Sequence, residues 1–304
     1  MTVTDRTGSA GAVSTRSNLL TGLVRAVRPR QWVKNVLVLA APMAAGVITE
    51  PDVLLAAAIA FVAFSLAASG VYLVNDVRDV AADRAHPTKR NRPIASGLVS
   101  PRVAIVLAVV LLAGALGVSA LASTPLLIVV AVYEVVQLAY CLGLKHQPVI
   151  DICIVASGFL MRAIAGGAAA ELPLSQWFLL AAAFGSLFMV AGKRYAEIRL
   201  AERTGAKIRK SLERYSASYL RFVWTLSATT LIMTYGLWAF EIREGSGSVW
   251  SVVSLVPFVV AVLRYAVDVD SGTAGEPEDI ALGDRVLQVL AVCWAGTILL
   301  AVYG

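Results

Sequence analysis

Charged residues are scarce in this chain of 304 residues. Asp, Glu, Lys and Arg make up 15% of it and hydrophobic residues 58%, whereas ordinary soluble domains carry about 25% charged residues. A soluble core of this size would leave too few polar groups to cover its surface, so the apolar surface must face lipid. The composition therefore excludes a soluble globular enzyme and an intrinsically disordered chain.

Cysteine is also rare. The three cysteines, Cys141, Cys153 and Cys293, all lie within apolar stretches. They show no pairing pattern and no metal-ligand spacing. A disulfide-stapled secreted domain is therefore excluded, and we interpret the three thiols as inert packing residues.

Long apolar stretches dominate the rest of the chain. A hydrocarbon core about 30 Å thick needs roughly 20 apolar residues per helix. The predicted spans are residues 33–49, 53–74, 102–122, 124–142, 149–170, 175–192, 217–240, 249–267 and 284–303. The sequence therefore predicts an all-α integral membrane protein with nine transmembrane helices.

The basic residues set the predicted orientation. Of the 26 Lys and Arg residues, all but Arg162, Arg221 and Arg243 lie in the segments that nine spans place on one side of the membrane or at the span ends that border those segments. Loops rich in Lys and Arg face the cytoplasm. We therefore place the N-terminus and the long loops in the cytoplasm and the C-terminus outside.

Three aspartates follow the second predicted span. Asp76, Asp79 and Asp83 are spaced i, i+3 and i+7, so in a continuing helix they share one face, which Asn75 borders. Three carboxylates this close repel each other unless a cation neutralises them. Oxygen ligands without His or Cys suit Mg²⁺. The pattern therefore predicts Asp76, Asp79 and Asp83 as catalytic residues and a Mg²⁺ site made of these aspartates and Asn75.

A block of basic residues comes next, in the run 86–93, HPTKRNRP. Carboxylates for a metal followed by guanidinium groups make a pocket suited to a phosphate-rich ligand. We therefore expect Lys89, Arg90 and Arg92 to bind substrate phosphate.

Together these residues resemble the first signature of the UbiA prenyltransferase superfamily: Asn75-Asp76-x-x-Asp79-x-x-x-Asp83, then His86-Pro87, then Lys89-Arg90-x-Arg92-Pro93-Ile94-Ala95-Ser96-Gly97. Nine spans with long second and sixth loops also match that family's layout, so the resemblance covers nearly the whole chain. It implies a UbiA-type helical bundle with a Mg²⁺-diphosphate site under cytoplasmic cap loops. We expect one catalytic domain over residues 19–304, preceded by a disordered cytoplasmic tail over residues 1–18.

The loop after the sixth predicted span departs from the family pattern. Most members carry a second aspartate motif there, but residues 192–203 contain no aspartate and the loop is rich in Lys and Arg. A pocket that loses carboxylates and gains cations suits a more anionic substrate. With the N-terminal run 28–35, RPRQWVKN, this departure resembles the actinobacterial phosphoribosyltransferase branch of the superfamily.

That resemblance implies transfer of 5-phosphoribose from phosphoribosyl diphosphate to decaprenyl phosphate or another polyprenyl phosphate, with release of diphosphate. The product would feed the synthesis of arabinan precursors for the cell wall. The expected cofactor is Mg²⁺, and the expected partners are the two substrates and the lipid bilayer, without nucleic acid. We expect a multi-pass protein of the plasma (inner) membrane with its active site on the cytoplasmic side. Whether it forms a homo-oligomer stays open.

The donor carries phosphate at both ends and therefore needs two anion sites. The metal-carboxylate face can hold the diphosphate, but the sequence does not apportion the remaining cations. The predicted substrate-binding residues are Lys34, Asn75, Lys89, Arg90, Arg92, Arg162, Lys193, Arg194, Tyr195 and Glu197. Arg162 is included because a charge inside a span is costly and usually functional. We expect it to line the lipid-phosphate cavity or to pair across helices.

Two other functions stay open. An aromatic prenyltransferase of the same superfamily would use a prenyl diphosphate, and a second aspartate motif would favour it. A transporter or lipid-binding protein would place ionisable residues in pairs at the membrane midplane, whereas the charges here cluster on one predicted side.

Overall fold

The regular structure is helical throughout the part of the chain that the computed structural model describes, which is residues 19–205, 212–272, 280 and 283–304. The chain begins with α1 (19–26), a 3₁₀ helix (Pro29–Leu39) and the five-residue α2 (Ala40–Ala44). The next helices are α3 (Pro51–Arg78), α4 (Val80–Ala85), α5 (Pro101–Ala122), α6 (Thr124–Leu142), α7 (Ile150–Ala169) and α8 (Gln176–Thr204). The last are α9 (Ala217–Ser246), α10 (Trp250–Val253), α11 (Leu255–Ser271) and α12 (Arg285–Tyr303).

Seven helical stretches among the described residues are long and apolar enough to cross a membrane: α3, α5, α6, α7, α8, the α10–α11 stretch Trp250–Ser271 and α12. Their surfaces are apolar as well: Val106, Val109 and Val110 on α5 are each at least 60% exposed. Such side chains need lipid around them. Seven of the nine predicted spans are therefore confirmed as membrane-length helices, and the chain is a multi-pass membrane protein.

The other two predicted spans differ. Span 217–240 lies within the 30-residue helix α9, which carries a series of Ser and Thr residues and is not one of the seven. Span 33–49 is not one α-helix, because the 3₁₀ helix Pro29–Leu39 runs into the short α2. Pro42 lies inside α2, where it lacks the N–H of a continuing helix, and Gly46 follows with φ +75°.

The sixth predicted span is correct at its start but ends too early. The sequence predicts a loop from residue 192, whereas α8 continues to Thr204 and Gly205 ends it in the left-handed conformation. The polar extension is rich in Arg, Ala and Glu, which are good helix formers. Two i, i+3 ion pairs, Arg194–Glu197 and Arg199–Glu202, support it.

The described residues form two compact units. The first comprises residues up to Val36 together with Ala58–Leu142. Its core contains Leu73 of α3, Ile94 and Val99 of the following loop, and Ala104 and Ala108 of α5. Because the loop 86–100 places two of its own side chains in this core, the segment after the aspartate motif is anchored.

The second unit comprises Leu37–Ala57 and Gly143–Gly304. Its main core lies among α7, α8, α9 and α11, with fully buried Tyr195, Leu220 and Val269. The 3₁₀–α2 segment packs against α7 at Gly166, where an added Cβ atom would lie 1.8 Å from the carbonyl oxygen of Val38. This approach requires glycine.

Replacing Gly166 by alanine should therefore destabilise the protein. The added methyl group has no room against backbone, and overpacking of this kind costs about 1–3 kcal/mol. The matched control is Gly117→Ala, because a Cβ atom at Gly117 of α5 meets nothing within 4 Å. Thermal unfolding in detergent should show a lower Tm for Gly166→Ala and an unchanged or higher Tm for Gly117→Ala. Equal Tm values would contradict the packing described.

Candidate functional site

Two buried aspartates meet on one arginine. Asp76, near the end of α3, and Asp83, in α4, are 2% and 3% exposed. The Nη1 atom of Arg92 donates to Asp76 Oδ1 at 3.0 Å and to Asp83 Oδ2 at 2.7 Å. The two carboxylate oxygens therefore lie no farther apart than the sum of these distances.

A second arginine binds Asp76. The Nη2 atom of Arg28 lies 2.6 Å from Asp76 Oδ1 and 2.8 Å from Oδ2, and its guanidinium carbon lies 4.9 Å from the centroid of the Tyr72 ring. The backbone of Arg28 has φ +54°, a conformation that non-glycine residues rarely adopt. Arg28, Arg92, Asp76 and Asp83 form what we call the acid–arginine cluster.

Local structure explains how the cluster forms. The helix is irregular at Asp79 (φ −93°, ψ 6°), which separates α3 from α4, although the N–H groups of Asp79 and Asp83 still donate to the carbonyl groups four residues earlier. The loop then returns, and Arg84 Nε donates to the carbonyl oxygen of Ala95 at 3.0 Å. Buried carboxylates need a counter-charge with hydrogen bonds, and the returning loop supplies one through Arg92.

The members of the aspartate motif differ in their surroundings. Asp76 and Asp83 are brought together, whereas Asp79 lies half-buried between α3 and α4 and Asn75 half-buried on α3. Among the described residues, no group of three Asp, Glu, His or Cys side chains is close enough to hold a metal ion. Arginine thus supplies the counter-charge to Asp76 and Asp83. The Mg²⁺ site stays a prediction.

The remaining predicted phosphate ligands of this unit lie near the surface. Lys89 and Arg90 are exposed on a 3₁₀ helix over Lys89–Asn91, and Lys34 is half-buried on the 3₁₀ helix Pro29–Leu39. Next to Lys34, the buried Asn35 donates its side-chain amide to Ser65 Oγ at 3.0 Å. Lys89 and Arg90 are thus available to an incoming ligand, while Asn35 fixes the N-terminal segment to α3.

The predicted ligands on α8 lie in the second unit. Arg194 is buried and lies 3.5 Å from Glu197, and Lys193 is half-buried. The hydroxyl of the fully buried Tyr195 donates to Asp270 Oδ1 at 3.0 Å and accepts from Nε of Arg221 at 3.1 Å and from its Nη2 at 2.5 Å. In this structure the Tyr195 hydroxyl is therefore satisfied by protein groups.

Arg162 is buried within α7. Its Nη1 atom donates to the carbonyl oxygen of Gly158 at 2.7 Å, one turn earlier, and its guanidinium carbon lies 5.9 Å from the centroid of the Phe159 ring. A backbone acceptor and an aromatic ring thus stabilise the charge from the same helix.

Sequence reasoning left Arg28 out of the set of site residues. The available signal was its place in the run 28–35, directly before Pro29.

Sequence reasoning also missed a second cluster, at the start of α7. There Tyr215 donates to Asp151 Oδ1, the N–H of Val149 donates to the Tyr215 hydroxyl at 2.5 Å, and the buried Asp151 Oδ2 has no hydrogen-bond partner. Burial and the hydrogen bond to Asp151 raise the pKa of Tyr215.

Known sequences are closely similar to this chain. A model of the UbiA prenyltransferase family matches residues 35–302. A protein of Mycolicibacterium smegmatis named decaprenyl-phosphate phosphoribosyltransferase is 61% identical over 298 residues, covering 94% of each chain. A protein of the same name from Mycobacterium tuberculosis is 64% identical over 291 residues, covering 93% of this chain and 94% of the other.

Solved structures share the fold at low identity. A UbiA homolog from Archaeoglobus fulgidus, bound to GPP and Mg²⁺, superposes with a TM-score of 0.69 at 15% identity. The match covers 92% of this chain and 98% of that one. At such identity the likeness concerns the fold alone.

The acid–arginine cluster should contribute to stability in the absence of metal. Arg92→Gln leaves two buried carboxylates without their shared cation. Breaking a fully buried pair costs about 3–5 kcal/mol, and because the Arg92 side chain is 26% exposed we expect about 1–3 kcal/mol. Thermal unfolding in excess chelator measures the loss. Arg84→Gln removes an arginine that binds a carbonyl group, and it should lower the free energy of unfolding by less than half as much. An equal loss in the two variants would contradict the stabilising role of the cluster.

Proposed function

Because the chain belongs to the UbiA prenyltransferase family, we propose that it transfers 5-phosphoribose from phosphoribosyl diphosphate to a polyprenyl phosphate and releases diphosphate. The two relatives named decaprenyl-phosphate phosphoribosyltransferase support this, since they match nearly the whole chain at 61% and 64% identity. Decaprenyl phosphate is the acceptor we favour, and arabinan precursors for the cell wall are the proposed destination of the product. The observation that carries the proposal is the acid–arginine cluster, placed on the family's aspartate motif.

The cluster has the chemistry to hold a diphosphate. Arg28 and Arg92 are partly exposed and can form bidentate hydrogen bonds to phosphate oxygens. Lys89 and Arg90, exposed on the same loop, add positive charge. The ribose 5-phosphate needs a further cation, for which Lys34, Lys193 and Arg194 are the candidates.

The same residues fit a magnesium ion. Asp76 and Asp83 offer hard oxygen donors that share one cationic partner, with Asp79 and Asn75 in the same stretch. Mg²⁺ usually takes one or two carboxylates together with substrate phosphates. When bound, the ion would offset negative charge that develops on the departing diphosphate.

The acceptor phosphate is already an anion, so its attack on the ribose needs no strong general base. The protein then acts by positioning the two substrates and by stabilising the leaving group through Arg28 and Arg92. Bond breaking builds positive charge on the ribose, and a carboxylate of the aspartate motif can stabilise it. Attack opposite to the leaving group inverts the configuration at the ribose carbon.

The placement in the membrane completes the proposal. We propose nine spans, counting residues 33–49 and α9 with the seven membrane-length helices, in the plasma membrane. The Lys and Arg distribution supports a cytoplasmic N-terminus and a site on the cytoplasmic side. We further propose that residues 19–304 act as one catalytic domain; the tail 1–18 lies outside the described residues.

A transfer assay tests the proposed function. The full-length protein in detergent receives Mg²⁺, decaprenyl phosphate and either ribose-labelled phosphoribosyl diphosphate or a labelled prenyl diphosphate with 4-hydroxybenzoate. We expect label from phosphoribosyl diphosphate in the lipid phase, reduced at least about 100-fold in Asp76→Asn because a carboxylate that would hold the magnesium ion beside the leaving group is lost.

Asp52→Asn is the matched control, since Asp52 is exposed at the other end of α3 and should leave the rate unchanged. Label on the aromatic acceptor alone would overturn the proposal in favour of an aromatic prenyltransferase. No transfer with either donor would overturn the assignment as a transferase of these substrates.

A further inference from the structure

We propose that Arg28 and Arg92 form an internal counter-ion that must leave Asp76 and Asp83 before these carboxylates can bind a divalent cation. Binding of the anionic donor and binding of the metal would then be coupled. This inference rests on the proposed function, which identifies the natural anion as phosphoribosyl diphosphate.

The hydrogen bonds show why the two cations compete. Asp76 Oδ1 accepts from both arginines, Asp76 Oδ2 from Arg28, and Asp83 Oδ2 from Arg92. Three of the four oxygens of the pair are therefore engaged by guanidinium groups. Each carboxylate oxygen has two lone pairs, so the competition is one of charge. A magnesium ion at about 2.0–2.1 Å from these oxygens would lie beside two guanidinium cations, and like charges at one site repel each other.

The exposed fractions of the side chains indicate which of the two ligands can bind first. The side chains of Arg28 and Arg92 are 27% and 26% exposed, whereas those of Asp76 and Asp83 are 3% and 5% exposed. A ligand that comes from solvent therefore meets the guanidinium groups first. An anion can reach its partners directly, but a cation cannot.

The arginines can be displaced only by exchange of partners. A guanidinium group does not lose its proton in proteins, so neutralising it requires another anion. A diphosphate can accept bidentate hydrogen bonds from arginine and can thereby release Asp76 and Asp83. By linkage, each ligand then raises the affinity for the other by the same factor.

Titration with Mn²⁺ alone tests the first half of the proposal. The free-ion signal in electron paramagnetic resonance reports binding to the full-length protein in detergent, without substrate or anion. We expect weak binding by the wild type and at least about tenfold tighter binding by Arg92→Gln, since a positive charge that competes with Mn²⁺ for Asp76 and Asp83 is removed. Arg28→Gln should change in the same direction and serves as the second variant if Arg92→Gln does not fold.

Two controls separate this effect from a general loss of positive charge. Arg84→Gln, from the same segment, removes an arginine that donates to the carbonyl group of Ala95, and its affinity for Mn²⁺ should stay within twofold of the wild type. The double variant Asp76→Asn/Arg92→Gln should bind Mn²⁺ no more tightly than the wild type does. An unchanged affinity in both Arg92→Gln and Arg28→Gln, an equal gain in Arg84→Gln, or a gain that persists without Asp76 would each overturn the proposal.

Binding of labelled inorganic diphosphate in excess chelator tests the second half. Asp76→Asn removes the carboxylate that binds Arg28 and leaves Arg92 with Asp83 alone, so it should bind diphosphate several-fold more tightly than the wild type. Asp52→Asn should bind as the wild type does, and weaker or equal binding by Asp76→Asn would overturn the coupling. Neither titration requires turnover, so the counter-ion proposal can fail while phosphoribosyl transfer stands, and the reverse also holds.

Discussion

The bridge from Arg92 to Asp76 and Asp83 is the interaction on which the candidate site depends. Two carboxylates buried together cannot both stay ionised without a counter-charge. Arg92 supplies that charge from a loop that returns after α4, and Ile94 and Val99 anchor the same loop in the core. The burial of the two aspartates therefore depends on the loop that holds Arg92 in place.

The membrane imposes the second constraint. Helices within lipid must be apolar on their outer surface and must satisfy their own backbone groups. Most of the few charged residues thus lie in loops, in the end segments of helices or in the acid–arginine cluster. Arg162 of α7 and Glu134 of α6 depart from this pattern, since both are buried within membrane-length helices, and Arg162 donates to the carbonyl oxygen of Gly158.

Features set by local composition could be predicted from the sequence. The spans 102–122 and 124–142 agree with α5 and α6 to within one residue, because an N-cap serine, Pro101 and Pro125 mark their starts. The predicted sixth span ends too early because hydrophobicity marks the part of a helix that lies in lipid and not the end of the helix itself. Ion pairs at i, i+3 and Gly205 decide the end of α8.

Pairings between distant residues could not be predicted in the same way. The motif identified the acidic and basic residues, but not that Arg28 lies on Asp76, since 48 positions separate them. The irregular backbone at Asp79 also could not be predicted, since the apolar pattern carries no signal for it. The sequence therefore identified most of the residues of the cluster, while their partners required the three-dimensional structure.

A cryo-electron microscopy map of the protein with phosphoribosyl diphosphate and Mg²⁺ would test the central claim most directly. The account predicts that Asp76 and Asp83 contact the metal ion and that Arg28 and Arg92 have moved from the carboxylates to the diphosphate. A map in which Arg92 still joins Asp76 to Asp83, with the donor bound elsewhere, would contradict it.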